Sequence, residues 1–101
     1  ERDIDLDIPK TYVTKNVMNT ISTLLSKVDI IGICKINNNE LDLNNNIIIL
    51  DDIQDPGNLG AILRSTVAFN INNVVLSKNS VDLYNTKVLR SSQGMNFHLN
   101  I

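Results

Sequence analysis

The sequence predicts an α/β fold: a mainly parallel sheet with flanking helices. Three observations predict it. Two short apolar runs, Ile47–Leu50 and Val74–Leu76, read as buried strands. Between them Leu59, Ile62, Leu63 and Val67 recur at helical spacing behind an Asp-Pro start. Strand and helix signals then alternate along the chain, the pattern of βαβ units with right-handed crossovers.

Taken in order, Glu1–Asp7 alternates acidic and aliphatic residues until Pro9, so residues 1–13 read as an edge strand or a linker. Thr14 is a plausible N-cap for a helix from Lys15 to about Lys27. Its apolar face of Val17, Met18, Ile21, Leu24, Leu25 and Val28 is expected to pack. Ile30–Ile36 reads as a strand interrupted by Gly32. The triplets Asn37–Asn39 and Asn44–Asn46 mark a surface loop rather than a site. Asp55 is the N-cap of the next helix, Pro56 its first residue, and Asn70 its stop. Asn72 and Asn73 supply the turn into the strand Val74–Leu76. Asn85 caps a short helix, Thr86–Gln93, with Gly94 just past its end. Phe97, Leu99 and Ile101 alternate with His98 and Asn100, which reads as a last strand with His98 on its outer face.

A chain of 101 residues makes at most one small domain, and a hydrophobic fraction of 43% suffices for a core. Aromatics at 4% argue against a base-stacking platform for single strands. The single cysteine, Cys34, cannot form an internal disulfide and reads as a buried reduced thiol. A reducing, intracellular setting follows, cytoplasmic or organellar. No stretch reads as a signal peptide or is apolar for long enough to cross a membrane, so no membrane partner is expected. One Cys and one His cannot build a zinc site, so no metal is expected. Charge is uneven. Residues 1–56 carry ten acidic and five basic side chains, whereas residues 57–101 carry Arg64, Lys78, Lys87 and Arg90 against Asp82 alone. An anionic partner such as RNA would meet the second half.

The joint between strand and helix, Asp51–Gly60, is where chemistry is expected, because sites in open α/β sheets sit at the carboxyl ends of strands. Helical side chains lean toward the N-terminus. Arg64 should therefore lie over Gly60 and Ala61, with Gly57 beyond, and point at the turn that carries Asn58. A long cation over small residues leaves room for a ligand, and exposed N–H groups at the helix start could add an anion site. DPGNLG matches neither the dinucleotide-binding glycine pattern nor a Walker A loop, which disfavours a nucleotide-binding protein.

The stretch DDIQDPGNLGAILRSTVAF resembles the first signature of the SpoU/TrmH family of RNA ribose methyltransferases, in the SPOUT superfamily. Asp55, Pro56, Asn58, Gly60, Ile62, Arg64, Ala68 and Phe69 match it, with mild changes at Ser65, Thr66 and Asn70. A second match lies in YNTKVLRSSQGMNFHLNI, at Lys87, Arg90, Ser92, Gly94 and Phe97, with departures at Met95, Asn96 and Asn100. The helix and strand expected over residues 14–36 also fall where the family has them.

The resemblance implies methyl transfer from S-adenosylmethionine to a ribose 2′-hydroxyl of RNA, rRNA rather than tRNA, by a homodimer. It implies that Arg64 acts on the hydroxyl with Asn58 beside it, and that Lys87, Arg90 and Ser92 contact RNA. A guanidinium is a poor base, so oxyanion stabilisation and positioning weigh at least as much as proton abstraction. The family has two further signatures, a Gly-rich segment with a Glu and a Ser-Leu-Asn segment that threads a knot; together they make the cofactor pocket. The chain stops at Ile101 before both. The expectation is one partial domain over residues 1–101, a Rossmann-like half without the knot, which alone does not bind S-adenosylmethionine. It should expose an apolar sheet face that favours self-association. The alternative is a non-catalytic RNA-binding or dimerising module that keeps the fold.

Overall fold

A computed structural model describes residues 6–36 and 38–101. The chain divides into two compact units, the first ending at Lys35 and the second spanning Ile36–Ile101.

Thr14 starts α1 (Lys15–Ile21) where expected, its hydroxyl accepting from the Val17 N–H at 3.3 Å. The helix ends six residues earlier than its apolar periodicity suggests. At Ser22 the backbone turns extended, and the Ser22 hydroxyl accepts from the Leu24 N–H at 3.2 Å. That local bond competes with continuation of the helix. Most of the apolar stripe stays open to solvent: α1 has no buried residue, Val17, Ile21, Leu24 and Leu25 are exposed, and only Met18 and Val28 are half-buried. Ile30–Ile36 is not a strand. It finds no strand partner among the described residues, and its backbone stays irregular with Ile30, Ile31, Ile33 and Ile36 exposed. Cys34 is exposed rather than buried for the same reason. The alternating start falls largely on residues 1–5, and the first Asn triplet includes Asn37; these lie outside the described residues.

The second unit contains the βαβ motif. β1 (Ile47–Leu50) and β2 (Asn73–Leu76) pair in parallel, Ile48 opposite Val74 and Leu50 opposite Leu76. Strand alternation divides their side chains between two faces. Ile48, Leu50, Val74 and Leu76 turn to the core, which they form with Leu59, Leu63, Val88 and Leu99. Ile47 and Ile49 take the other face, where Ile49 is 72% exposed. β1 is therefore buried on one face only, not on both as a continuous apolar run suggests.

α2 (Pro56–Ala68) joins the strands. Its inward face buries Leu59, Gly60, Leu63 and Thr66. The Thr66 hydroxyl is satisfied inside the helix, donating to the Ile62 carbonyl at 2.8 Å. The helix stops at Asn70, whose φ of 58° is left-handed. The Asn70 and Ile71 N–H groups then close back onto the Val67 and Thr66 carbonyls, with Asn in the position usually taken by Gly.

α3 (Thr86–Ser92) is capped by Asn85, whose side chain accepts from the Lys87 N–H at 2.9 Å, and it packs across α2. The crossing is close because residue 60 is glycine: a Cβ there would lie 1.8 Å from Ser91 Oγ and 2.8 Å from the Ser91 backbone carbon. Gly60→Ala must therefore push α3 off α2. Overpacking of this kind costs about 1–3 kcal/mol, against roughly 1 kcal/mol of helix propensity gained. The expected result is a lower unfolding midpoint, read by circular dichroism in urea; a raised midpoint would refute the close crossing.

The strand expected over residues 97–101 is largely a 3₁₀ turn, Met95–His98. Gln93 and Gly94 are left-handed in succession, with φ of 52° and 80°, and this folds the chain back under α3. Phe97 points out to solvent, His98 is exposed on the turn rather than on a strand face, and Asn96 is buried, its side chain accepting from Ser92 Oγ at 2.9 Å. Sheet pairing begins only at Asn100, which bridges in parallel to Asn73.

Candidate functional site

The carboxyl ends of β1 and β2 lead into two loops that lie against each other. After Leu50 the chain passes through Asp52, left-handed at φ 58°, to the cap of α2. Ser77 extends the ladder, its N–H donating to the Leu50 carbonyl at 2.9 Å. The Ser77 hydroxyl accepts from the Asp52 N–H at 2.8 Å, and the Ser80 hydroxyl accepts from the Ile53 N–H at 3.2 Å. The two hydroxyls are 3.1 Å apart and bond to one another. The Val81 N–H donates to the Ile53 carbonyl at 2.8 Å.

Asp55 then caps α2, its carboxylate accepting from the Asn58 N–H at 2.7 Å. An Asp at this position satisfies an otherwise unpaired helix donor and contributes about 1 kcal/mol. Pro56 follows at the first helical position. The α2 start thus has the geometry expected from DPGNLG, with the Asn58 side chain exposed.

Arg64 is also exposed, and among the described residues neither it nor the Asn58 side chain has a hydrogen-bond or ion-pair partner. The two are six residues apart. That separation places them about 9 Å apart along the axis and about 120° apart around it, so α2 alone does not bring them together. The reach of the Arg64 side chain toward the helix start must close the gap. The floor expected beneath Arg64 is only partly open. Gly57 and Ala61 are exposed, but Gly60 is buried under Ser91. The Ser91 hydroxyl also donates to the Pro56 carbonyl at 3.1 Å, tying α3 to the first turn of α2.

On α3, Lys87 and Arg90 are exposed and three residues apart, hence on neighbouring positions of one face. Ser92 is not available beside them. It is fully buried, and its hydroxyl bonds to the Leu89 carbonyl and the Asn96 side chain, both at 2.9 Å. Its place in the second motif reflects packing of the 3₁₀ turn rather than a surface contact. The serines that touch the strand-to-helix joint are Ser77, Ser80 and Ser91. No motif marked them, because their partners lie more than twenty residues away in sequence.

A shallow groove of about 260 Å³ lies beside α2, lined by Ile48, Ala61, Ile62, Ser65, Thr66, Phe69 and Ile71. Its lining holds two hydroxyls and no charged group. It does not fit S-adenosylmethionine, which carries a sulfonium, an ammonium and a carboxylate. Among the described residues no group of three or more His, Cys, Asp and Glu could hold a metal ion. No helix among them is long and apolar enough to cross a membrane.

Comparison with known proteins adds to this geometry. The model of the SpoU rRNA Methylase family matches residues 45–101, from the loop before β1 to the bridge at Asn100. The chain is 29% identical over 97 residues to the 23S rRNA (guanosine(2553)-2′-O)-methyltransferase of Bacillus subtilis, covering 96% of this chain and 39% of that protein. It is 46% identical over 54 residues to the mitochondrial rRNA methyltransferase 3B of Danio rerio, covering 54% of this chain and 12% of that protein. It is 38% identical over 55 residues to an uncharacterized tRNA/rRNA methyltransferase of Mycoplasma genitalium, covering 54% of this chain and 23% of that protein. The chain thus spans well under half the length of these relatives.

Proposed function

The chain belongs to the SpoU rRNA methylase family, and from that premise we propose that its protein transfers a methyl group from S-adenosylmethionine to a ribose 2′-hydroxyl of RNA, rRNA in preference to tRNA. The observation that carries this reading is the Asp55-capped start of α2. It presents Asn58 at the carboxyl end of a parallel strand, and the exposed Arg64 stands further along the same helix with its side chain free to lean back toward that end.

A ribose hydroxyl is a weak nucleophile. When the oxygen takes the methyl carbon, the donor's carbon–sulfur bond would break and its sulfur leave as a neutral thioether; the hydroxyl proton must pass to water or a neighbouring phosphate, and the negative charge that proton loss places on the oxygen must be met. Arg64 supplies a fork of N–H donors that holds this oxygen without giving up a proton itself. Asn58, with both donor and acceptor atoms, orients the sugar. No residue described here is assigned to the methyl donor.

The test is an in vitro assay of the full-length gene product with an isotopically labelled methyl donor and rRNA and tRNA transcripts. Nuclease digestion then separates 2′-O-methylated from base-methylated nucleotides. Label on a base, or no label in any RNA, refutes the reading.

Lys87 and Arg90 are the proposed phosphate contacts. Each such contact contributes about one counterion to the salt dependence of RNA binding. Replacing both with Gln should weaken binding across unrelated RNA sequences and flatten the slope of log K against log salt by roughly 1.4 to 1.8. An unchanged slope would remove α3 from the RNA surface.

We include homodimerisation in the same reading. The exposed Ile47 and Ile49 face is the apolar surface on which self-association is expected. Light scattering at high concentration should give more than the mass of one chain. Ile49→Lys should reduce it, and a clean monomer for the unmodified chain would count against this part.

A further inference from the structure

The two loops at the carboxyl ends of β1 and β2 are held together through side chains that no motif accounts for. Asp52 adopts a left-handed backbone, uncommon for a residue other than glycine. Such a conformation persists only where its surroundings hold it. Here the surroundings are specific. The Asp52 and Ile53 N–H groups donate to the Ser77 and Ser80 hydroxyls, at 2.8 and 3.2 Å. The hydroxyls bond to each other at 3.1 Å. The Ser80 N–H closes a turn onto the Ser77 carbonyl at 3.0 Å, which fixes the distance between the two serines. Two residues past Ile53 comes Asp55, and through its carboxylate the Asn58 N–H. The serine hydroxyls therefore pin residues 52 and 53, and two residues of backbone connect this pinned point to the Asp55 cap that holds the Asn58 N–H.

We infer that Ser77 and Ser80 are positioning residues: their joined hydroxyls hold the Asp51–Asp55 turn and thereby fix Asn58 at the carboxyl end of β1. The inference rests on the methyl-transfer reading, since it concerns the same turn. Neither serine belongs to the hydrophobic core. Asp52 is exposed, and water can replace a lost hydroxyl partner at its N–H. Loss of the hydroxyls should thus loosen the turn without unfolding the sheet. A displacement of about 1 Å at a reacting group can lower a rate by about 100-fold.

The experiment compares the full-length gene product with a Ser77→Ala/Ser80→Ala variant and with a hydroxyl-retaining Ser77→Thr/Ser80→Thr variant. For the alanine variant, kcat should fall about 10- to 100-fold. KM for RNA should stay within about twofold and the thermal midpoint within a few degrees. Amide hydrogen exchange should accelerate at Asp52, Ile53 and Asn58 but not at Leu63 or Val74. The threonine variant should recover most of kcat. The inference is overturned if kcat is unchanged in the alanine variant. It is equally overturned if kcat and thermal midpoint fall together and threonine restores neither. If the unmodified protein transfers no methyl group, the reading of function fails on its own. The role of the serines is then decided by exchange: acceleration at Asn58 supports it, and unchanged exchange there overturns it.

Discussion

Replacing Arg64 by alanine is expected to lower kcat for RNA methylation in the full-length gene product by about 100- to 1000-fold, the usual effect of removing one donor from a developing oxyanion. Binding of the methyl donor should stay nearly unchanged, because no described residue around Arg64 offers the donor a site. Arg64→Lys should recover little. Lysine keeps the charge but not the planar fork of donors, and its ammonium holds a water shell that must be stripped. The folded state should tolerate both changes, since Arg64 is exposed and unpartnered among the described residues. Exposed positions of this kind alter stability by about 0.5 kcal/mol or less. The assay is single-turnover methyl transfer with donor affinity measured separately by calorimetry. Activity retained by Arg64→Ala would remove Arg64 from the centre. Donor affinity lost in parallel would move it from the hydroxyl to the donor.

How legible this site was depends on how local its causes are. The cap at Asp55 is local: an Asp followed by Pro satisfies helix donors three residues on, whatever lies around it, and the structure has that bond. The stop at Asn70 is local in the same way. The approach of α3 to Gly60 is not. The spacing of Gly57, Gly60 and Ala61 shows that small residues lie below Arg64, but not that Ser91 fills the space over one of them. The neighbours Ser91 and Ser92 make the same point. On a helix of seven residues one step decides which serine enters the core, and motif matching picked out Ser92, whose hydroxyl the structure buries. The apolar runs failed where a partner was needed. Ile30–Ile36 has the composition of a strand, but strands exist in pairs, and no partner lies beside it among the described residues. Ile47–Leu50 has the same composition and did form one, because α2 returns β2 alongside it.

Among the described residues, a buried polar side chain with four hydrogen bonds is one read only as part of a turn. Asn73 is fully buried at the first position of β2. Its side-chain oxygen accepts from the Asp42 N–H at 2.9 Å and the Asn100 side chain at 3.2 Å. Its side-chain nitrogen donates to the Asp42 carbonyl at 2.9 Å and the Asn46 carbonyl at 3.2 Å. An amide side chain has two donor hydrogens and two acceptor lone pairs, and all four are used. They join the loop before β1, the start of β2 and the last bridge of the sheet. Asn73→Ala strands the Asp42 N–H, the Asn100 side-chain amide and two carbonyls and leaves a void. Each unsatisfied buried group costs about 1–3 kcal/mol, with the exposed loop letting water meet part of the demand. The expected loss is about 2–4 kcal/mol of unfolding free energy. That is a large fraction of a total of about 5–15 kcal/mol. Asn73→Asp should cost a similar amount, because a carboxylate would face the Asp42 and Asn46 carbonyls with no hydrogen to give. Asn72→Ala, one residue away and exposed, contributes only its backbone carbonyl to Asn100 and should change stability by less than about 0.5 kcal/mol. Urea unfolding of the three variants separates these cases. A midpoint for Asn73→Ala equal to that of Asn72→Ala would show that the four bonds add nothing. Asn73 lies at the amino end of the strands and the Asn58 turn at the carboxyl end. The folded fraction of an Asn73 variant should therefore keep the parent's kcat, whereas Arg64→Ala should lose kcat at unchanged stability.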